Sequence, residues 1–209
     1  MSKIAILTDS SCDIPQEMAE KYNIDIMSFH ILLDDVDYVE RESCSNEEFY
    51  AKMRVAKGVP STAAITPIQF CEKYCQYVDE GYTDVIHVPI NRSGSSTYNN
   101  AVMAQGMLRE ERPEHHLKIH LIDSHTYSMP FGWYLCEMAR KLQNGAEISH
   151  VIHEFESQMN KMEIVLGPYS LRQMKKSGRI SAAAAVMGEL MGIRPIITLI
   201  DGKTKVEAK

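Results

Sequence analysis

The segment DVIHVPINRSGSSTYNNAVMAQGMLREE, residues 84–111, passes from a β-branched apolar run through a Gly/Ser-rich loop into a helix-length stretch. A strand over 84–90 and a helix over 95–111 form one βα unit. The same alternation recurs on both sides. KIAIL (3–7) reads as a strand ending in TDSSCD, followed by a helix over 14–22 with Asp13 as cap and Pro15 in its first turn. Residues 24–33 form one extended run, 34–37 a turn and 38–40 the return of a hairpin. Helices are expected over 46–56, 67–80, 128–143 and 148–162, and strands over 118–122 and 163–166. Strands separated by helices of a dozen residues imply βαβ units, a parallel sheet and right-handed crossovers.

The texture changes after Gly167. Residues 171–176 and 182–191 read as helices, and RPIITLI (194–200) as a buried-type strand that meets an Asp201-Gly202 turn. The expected architecture is α/β: a three-layer α/β/α first domain over 1–165 with a parallel sheet, then a second α/β domain with a mixed sheet beginning at 166. About 45 residues are too few to close a core of their own, so the second unit is expected to be incomplete within 166–209.

Composition fits a globular protein: 209 residues, 44% hydrophobic, 24% charged. A formal net charge of −6 argues against nucleic acid, which calls for a basic face, and equally against anionic membranes. No run of about 18 apolar residues occurs, so no transmembrane helix is expected. Five cysteines without a framework suit a reducing cytoplasm.

In a doubly wound sheet, ligands bind beyond the carboxyl ends of the strands. Three strand ends supply hydroxyls and carboxylates there: Thr8-Asp9-Ser10-Ser11, the 91–97 loop with Ser95 and Thr97, and Asp123-Ser124. The 91–97 loop opens a helix, whose free N–H groups and partial positive charge suit a carboxylate or phosphate. The competing reading is that Ser95 or Ser96 only caps that helix.

Other chemistries carry less. Gly202-Lys203-Thr204 resembles the tail of a P-loop, but position 197 is Ile. No G-x-G-x-x-G follows the first strand. A serine hydrolase would need His125 and Asp123 in reach of Ser95. His150 with His153, or Cys71 with Cys75, could hold half of a zinc site, but no matching second pair occurs in the sequence, so the expected readings are a solvated His face and a half-buried Cys pair. Met27, Met103, Met107, Met129, Met187 and Met191 fall in apolar runs, as core filling or as lining for a long apolar ligand. Residues 34–48 hold seven acids against one Arg, and Arg172, Lys175, Lys176 and Arg179 form a basic stretch. Both read as solvated faces, the second also as an anion or partner contact.

In order along the chain, TDSSCDIP (8–15), VPSTAAITP (59–67), GSSTYNNA (94–101), IDSHTYS (122–128) and KKSGRISAAAAVMGELMGIRPII (175–197) resemble the motif series of the DegV family of bacterial fatty-acid-binding proteins. The resemblance implies two α/β domains with a long-chain fatty acid buried between them and no other cofactor. It implies that hydroxyls hold the carboxylate, here Thr62 and Ser95. It further implies a non-enzymatic carrier that presents its ligand to a separate fatty acid kinase. Arg179, matching the Arg of the family's G-R-I-S, is expected at the domain junction or a partner contact. A transient membrane contact is compatible with such cargo. This chain departs from the pattern at Ala63 and Ala64, at Ser96 and at Asn91-Arg92. Family members also continue through further strands and helices. The alternative function is an enzyme acting on a small phosphorylated or carbonyl substrate through the 91–97 loop.

Overall fold

The computed structural model describes residues 2–168, 195–200 and 203–208. Strand β1 (Ile4–Asp9) leads through a single 3₁₀ turn (Ser10–Cys12) into α1 (Gln16–Tyr22). Then come β2 (Ile24–Met27), β3 (His30–Leu33), β4 (Val36–Val39), α2 (Asn46–Val55), β5 (Ser61–Ala63) and α3 (Pro67–Asp79). The next are β6 (Asp84–Val88), α4 (Thr97–Glu111), β7 (Lys118–Leu121), α5 (Met129–Gln143) and α6 (Ile148–Met159). Strands β8 (Glu163–Leu166), β9 (Ile196–Ile200) and β10 (Lys203–Ala208) follow.

The first sheet has the order β2-β1-β6-β7, with every pairing parallel. Its strands alternate strictly, because successive side chains leave a strand on opposite faces. Ile6, Ile86 and Val88 pack on Ala19 of α1, on Phe131, Leu135 and Met138 of α5, and on Val151 and Phe155 of α6. Ala5, Leu7 and Val85 pack on the other side against Phe70 and Tyr74 of α3 and Ala101, Ala104 and Leu108 of α4. Helices α3, α4, α5 and α6 each bury one stripe at three- and four-residue spacing, which is the helical period. The layers are therefore helix, sheet, helix.

A second sheet, β4-β3-β5, is antiparallel. A third, β10-β9-β8, is antiparallel as well, and its β8 spans residue 165.

Three local expectations are corrected. The run 24–33 is not one strand. Met27 pairs with Asp9 at the end of β1, beyond which the first sheet offers no partner. The Phe29 N–H donates instead to Ser10 Oγ (3.0 Å), and the chain leaves the sheet to start the second one. Asp13 does not cap α1. It sits at φ 52° closing the 3₁₀ turn, and its carboxylate accepts from Ser128 Oγ (2.5 Å). Helix α1 begins after Pro15, whose carbonyl accepts from Met18 and Ala19 N–H. Residues 61–63, to which the sequence assigned no element, form β5, because β3 supplies an open edge. Met103 is exposed rather than buried, since α4 turns Ala101, Ala104 and Leu108 inward, and Met129, the first residue of α5, is exposed as well. Helices over 171–176 and 182–191, Met187, Met191, the 201–202 turn and the basic set 172–179 lie outside the described residues.

Two close contacts fix how α5 meets the start of the chain. A Cβ on Gly132 would lie 2.2 Å from the carbonyl oxygen of Cys12, so only glycine allows this approach. The Ser128 N–H donates to the Ser11 carbonyl (2.9 Å).

Candidate functional site

A cleft of about 820 Å³ opens at the carboxyl ends of the parallel strands. Its walls come from five places. Ser11 ends the first strand's loop; Phe29 and Glu40 flank the β3–β4 hairpin. Residues 59–64 carry β5. Ile90, Gly94, Ser95 and Ser96 form the loop into α4, and Tyr127 precedes α5. One part of the lining is apolar (Phe29, Val59, Pro60, Ala63, Ala64, Ile90). The other carries hydroxyls and one carboxylate (Ser11, Thr62, Ser95, Ser96, Tyr127, Glu40).

The frame beneath the cleft is built from the TDSS segment. Thr8 Oγ1 donates to the Val88 carbonyl at 2.7 Å. Asp9 Oδ1 accepts from the Ser11 N–H and hydroxyl, and Oδ2 from the Ile90 N–H. Burial pushes the Asp9 carboxyl up to about 6, against those hydrogen bonds, and nearby Glu40 adds to the rise. Ser10 Oγ donates to Glu40 (2.5 Å) while accepting from Phe29. Ser10 thus joins the parallel sheet to the antiparallel one.

The hairpin that carries Glu40 turns at Asp34 and Asp35, both at positive φ (49° and 63°). That is the geometry of a two-residue primed turn, which matches the twist of the flanking strands. The Asp34 carboxylate accepts from the Lys57 and Gly58 N–H groups. These bonds hold its pKa below the usual carboxylate range and tie the turn to the chain entering β5. Thr62 is then placed opposite Ile31 by strand register.

The 91–97 loop is held from behind. Buried Asn91 accepts from the Ser93 N–H through Oδ1 and donates to the Tyr127 hydroxyl through Nδ2. A Cβ on Gly94 would lie 2.0 Å from that hydroxyl, so glycine is what lets Tyr127 cross the loop. Asp123 accepts from the Arg92 and His125 N–H groups and pairs with the Arg92 guanidinium at 3.3 Å. Ser95 Oγ shares a hydrogen bond with Thr97 Oγ1 (2.8 Å) and accepts from the Thr97 N–H (3.3 Å). Ser96, the residue before α4, makes no side-chain capping bond.

Of the residues singled out in the sequence, Thr62 and Ser95 face the cleft together from two separate elements. Thr97 is buried against Ser95. Ser10 lies behind the lining and donates to Glu40, which is part of it. Asp123 braces the two loops. Ser124 is buried and donates to the Thr126 carbonyl (3.0 Å). Arg179 lies outside the described residues. The sequence reading placed Ser11 at a strand end and Tyr127 only inside a quoted motif, and it missed Glu40 as lining. Glu40 was hidden in an acidic run.

The Ser95 hydroxyl shares a hydrogen bond with Thr97 Oγ1, and His125 Nδ1 stands 3.9 Å from Asp123. His150 and His153 are exposed on α6. Cys71 and Cys75 meet Glu111 of α4. Among the described residues no helix is long and apolar enough to cross a membrane.

Comparison with known proteins places this geometry. The family model described as "Uncharacterised protein, DegV family" matches residues 3–209. A DegV domain-containing protein of Clostridium acetobutylicum is 32% identical over 206 residues, covering 99% of this chain and 70% of the relative. One from Clostridium perfringens is 30% identical over 210 residues, covering 100% of this chain and 72% of the relative. Among solved structures, a fatty acid binding DegV family protein from Streptococcus agalactiae superposes with a TM-score of 0.86 at 26% identity, over 100% of this chain and 72% of that one. A Thermotoga maritima protein described as revealing a fatty acid binding function gives 0.81 at 26% identity, over 99% of this chain and 71% of that one.

Proposed function

Because this chain belongs to the DegV family, we propose that it binds a long-chain fatty acid in the cleft, with the carboxylate on the Thr62 and Ser95 hydroxyls. The observation that carries this reading is the convergence of those two hydroxyls, one from β5 and one from the loop before α4, on a cleft with an apolar side. Its volume lies within the range of roughly 300–1,000 Å³ usual for small-molecule sites. The fatty acid binding named for the Streptococcus and Thermotoga proteins supports the same ligand class.

The energetics suit it. Each buried CH₂ contributes about 0.8 kcal/mol, so the acyl chain supplies affinity without an ion pair. The carboxylate needs donors, because a buried unpaired charge is costly. Thr97 orients Ser95, and Asp123 and Asn91 keep its loop in place. Ser10 holds Glu40 to the frame. Residues 1–165 carry the hydroxyls, and the unit over 166–209, whose sheet takes in β8, is proposed to face them across the acyl chain. Arg179 is proposed for partner contact. The protein acts as a carrier with no chemistry of its own, offering the carboxylate to a fatty acid kinase.

Native mass spectrometry followed by lipid extraction tests the reading. Expected is one acyl ligand per chain, lost in the Thr62→Ala/Ser95→Ala variant. Absence of both co-purified lipid and binding of added fatty acid would overturn it.

A further inference from the structure

Helices α3 and α4 start on either side of the cleft and run in the same direction. Asn100, near the start of α4, donates to the Ile65 carbonyl just before α3 (2.8 Å). At the far ends Arg112 pairs with Asp79 (3.7 Å). Between these ties lies a group with no part in the cleft. Cys71 and Cys75 sit one turn apart on the buried face of α3, and Glu111 reaches them from the last turn of α4. The two sulfurs and a carboxylate oxygen all lie within 4.8 Å of one another. The Cys75 thiol points at Glu111 Oε2 across 3.6 Å.

We propose that Cys71, Cys75 and Glu111 form a binding site for one thiophilic divalent cation such as Zn²⁺. Tetrahedral zinc takes sulfur at about 2.3 Å and carboxylate oxygen at about 2.0–2.2 Å, which sets ligand atoms about 3.5–3.8 Å apart. The Cys75–Glu111 separation already has that value, and the remaining sides of the triangle close by side-chain rotation. Residues i and i+4 share one helical face, so α3 presents both sulfurs to the same point. Glu111 is exposed while both cysteines are buried, so the carboxylate side is the entry path and leaves the fourth position to water. Three protein ligands with one open position are a known zinc arrangement.

Binding exchanges protons for metal. Two thiols release two H⁺ and become thiolates, the carboxylate is already ionised, and no electron moves. Burial pushes the Cys71 thiol up to about 11 and the Cys75 thiol in the same direction. Affinity therefore rises with pH until both protons are displaced. The Arg112 charge beside Cys75 favours the thiolate. The bound ion would staple α3 to α4 and stabilise the folded chain in proportion to ln(1 + [M]/Kd).

The test uses the full chain, reduced and metal-free, titrated with Cd²⁺ and then competed with Zn²⁺. Expected is a thiolate-to-cadmium charge-transfer band that saturates at one ion per chain and is removed by Zn²⁺. The Cys71→Ser/Cys75→Ser variant should lose the band. Glu111→Gln, an exposed change that leaves the core intact, should keep two sulfurs and weaken affinity by at least the roughly 10–100-fold that typically follows loss of an outer-shell partner. A wild-type chain without the band overturns the site. So does a band that survives in the double-serine variant, which would place the metal on Cys12, Cys44 or Cys136. Unchanged affinity in Glu111→Gln overturns the carboxylate's role and with it the three-ligand site. Should the double variant fail to fold, Cys75→Ser alone carries the sulfur arm, and there an unchanged band is the overturning result.

Discussion

Asp9 Oδ2 accepts a hydrogen bond from the Ile90 N–H at 2.7 Å, across 81 residues of sequence. That bond ties the end of the first strand to the loop that carries Ser95. Asp9 is fully buried, and burial raises its carboxyl from 3.8 to about 6. The folded state therefore binds the proton more tightly than the unfolded state. Its contribution to stability is present below about pH 4 and is lost as pH rises through about 6. The shift corresponds to about 3 kcal/mol. Urea unfolding of wild type and Asp9→Asn should show the wild-type advantage shrinking by about that amount between pH 4 and pH 7. A constant difference, or one that grows with pH, contradicts the assignment.

His87 behaves in the opposite sense. It is buried in β6, where its Nδ1 meets the Tyr74 hydroxyl at 2.7 Å, and burial pushes its pKa from 6.5 down to about 3. The unfolded state then binds the proton more tightly. Stability is intact above about 6.5 and is lost as pH falls toward 3, by a few kcal/mol. In His87→Gln this acid component should disappear, so that the denaturation midpoints of variant and wild type converge between pH 7 and pH 4.

Gly94→Ala should damage both fold and cleft. The new Cβ would meet the Tyr127 hydroxyl at 2.0 Å, and relieving such a clash costs about 1–3 kcal/mol. Tyr127→Phe removes the nearest atom and leaves ring carbons at 2.9 and 3.1 Å. The double variant should therefore be less destabilised than the two single changes added together. Thermal unfolding of the four proteins in this cycle measures the coupling, and strict additivity would mean that Tyr127 moves freely away.

Ser95→Ala or Thr62→Ala each removes one proposed donor to the ligand carboxylate. A hydrogen bond to a charged group contributes about 1.5–3 kcal/mol, so fatty acid affinity should fall about 10–100-fold per substitution. Binding of the matching fatty alcohol should fall less. Thr97→Val should reproduce part of the Ser95→Ala loss, because Thr97 positions the Ser95 hydroxyl. Titration calorimetry with acid and alcohol separates the headgroup effect from the acyl chain.

The DVIHV run, the Gly/Ser loop and the helix after it declared a βα unit from local pattern alone. The unbroken burial of β1 and β6, with helices on both faces, and the three-to-four spacing in α3 and α5 follow from how side chains leave strands and helices, so the layered architecture was legible. The same local reading drew attention to Ser95 and, through family resemblance, to Thr62. It could not reveal that residues 24–33 divide between two sheets, because the division depends on Ser10 capturing the Phe29 N–H. Nor could it tell Glu40 from the solvated acids around it, since only strand register and Ser10 bring that carboxylate to the cleft. Asp13 had the residue type of a helix cap, yet the backbone placed it at φ 52°, where it receives Ser128 instead.

Sequence by itself determined most of the elements, their alternation and the hydroxyl-rich strand ends, because propensity and periodicity act over a few residues. Tertiary structure decided which of those hydroxyls share a cleft, which carboxylate is buried, and that Glu111 meets Cys71 and Cys75. Those relations join residues tens of positions apart, and only the packing of helices on the sheet sets the distances between them.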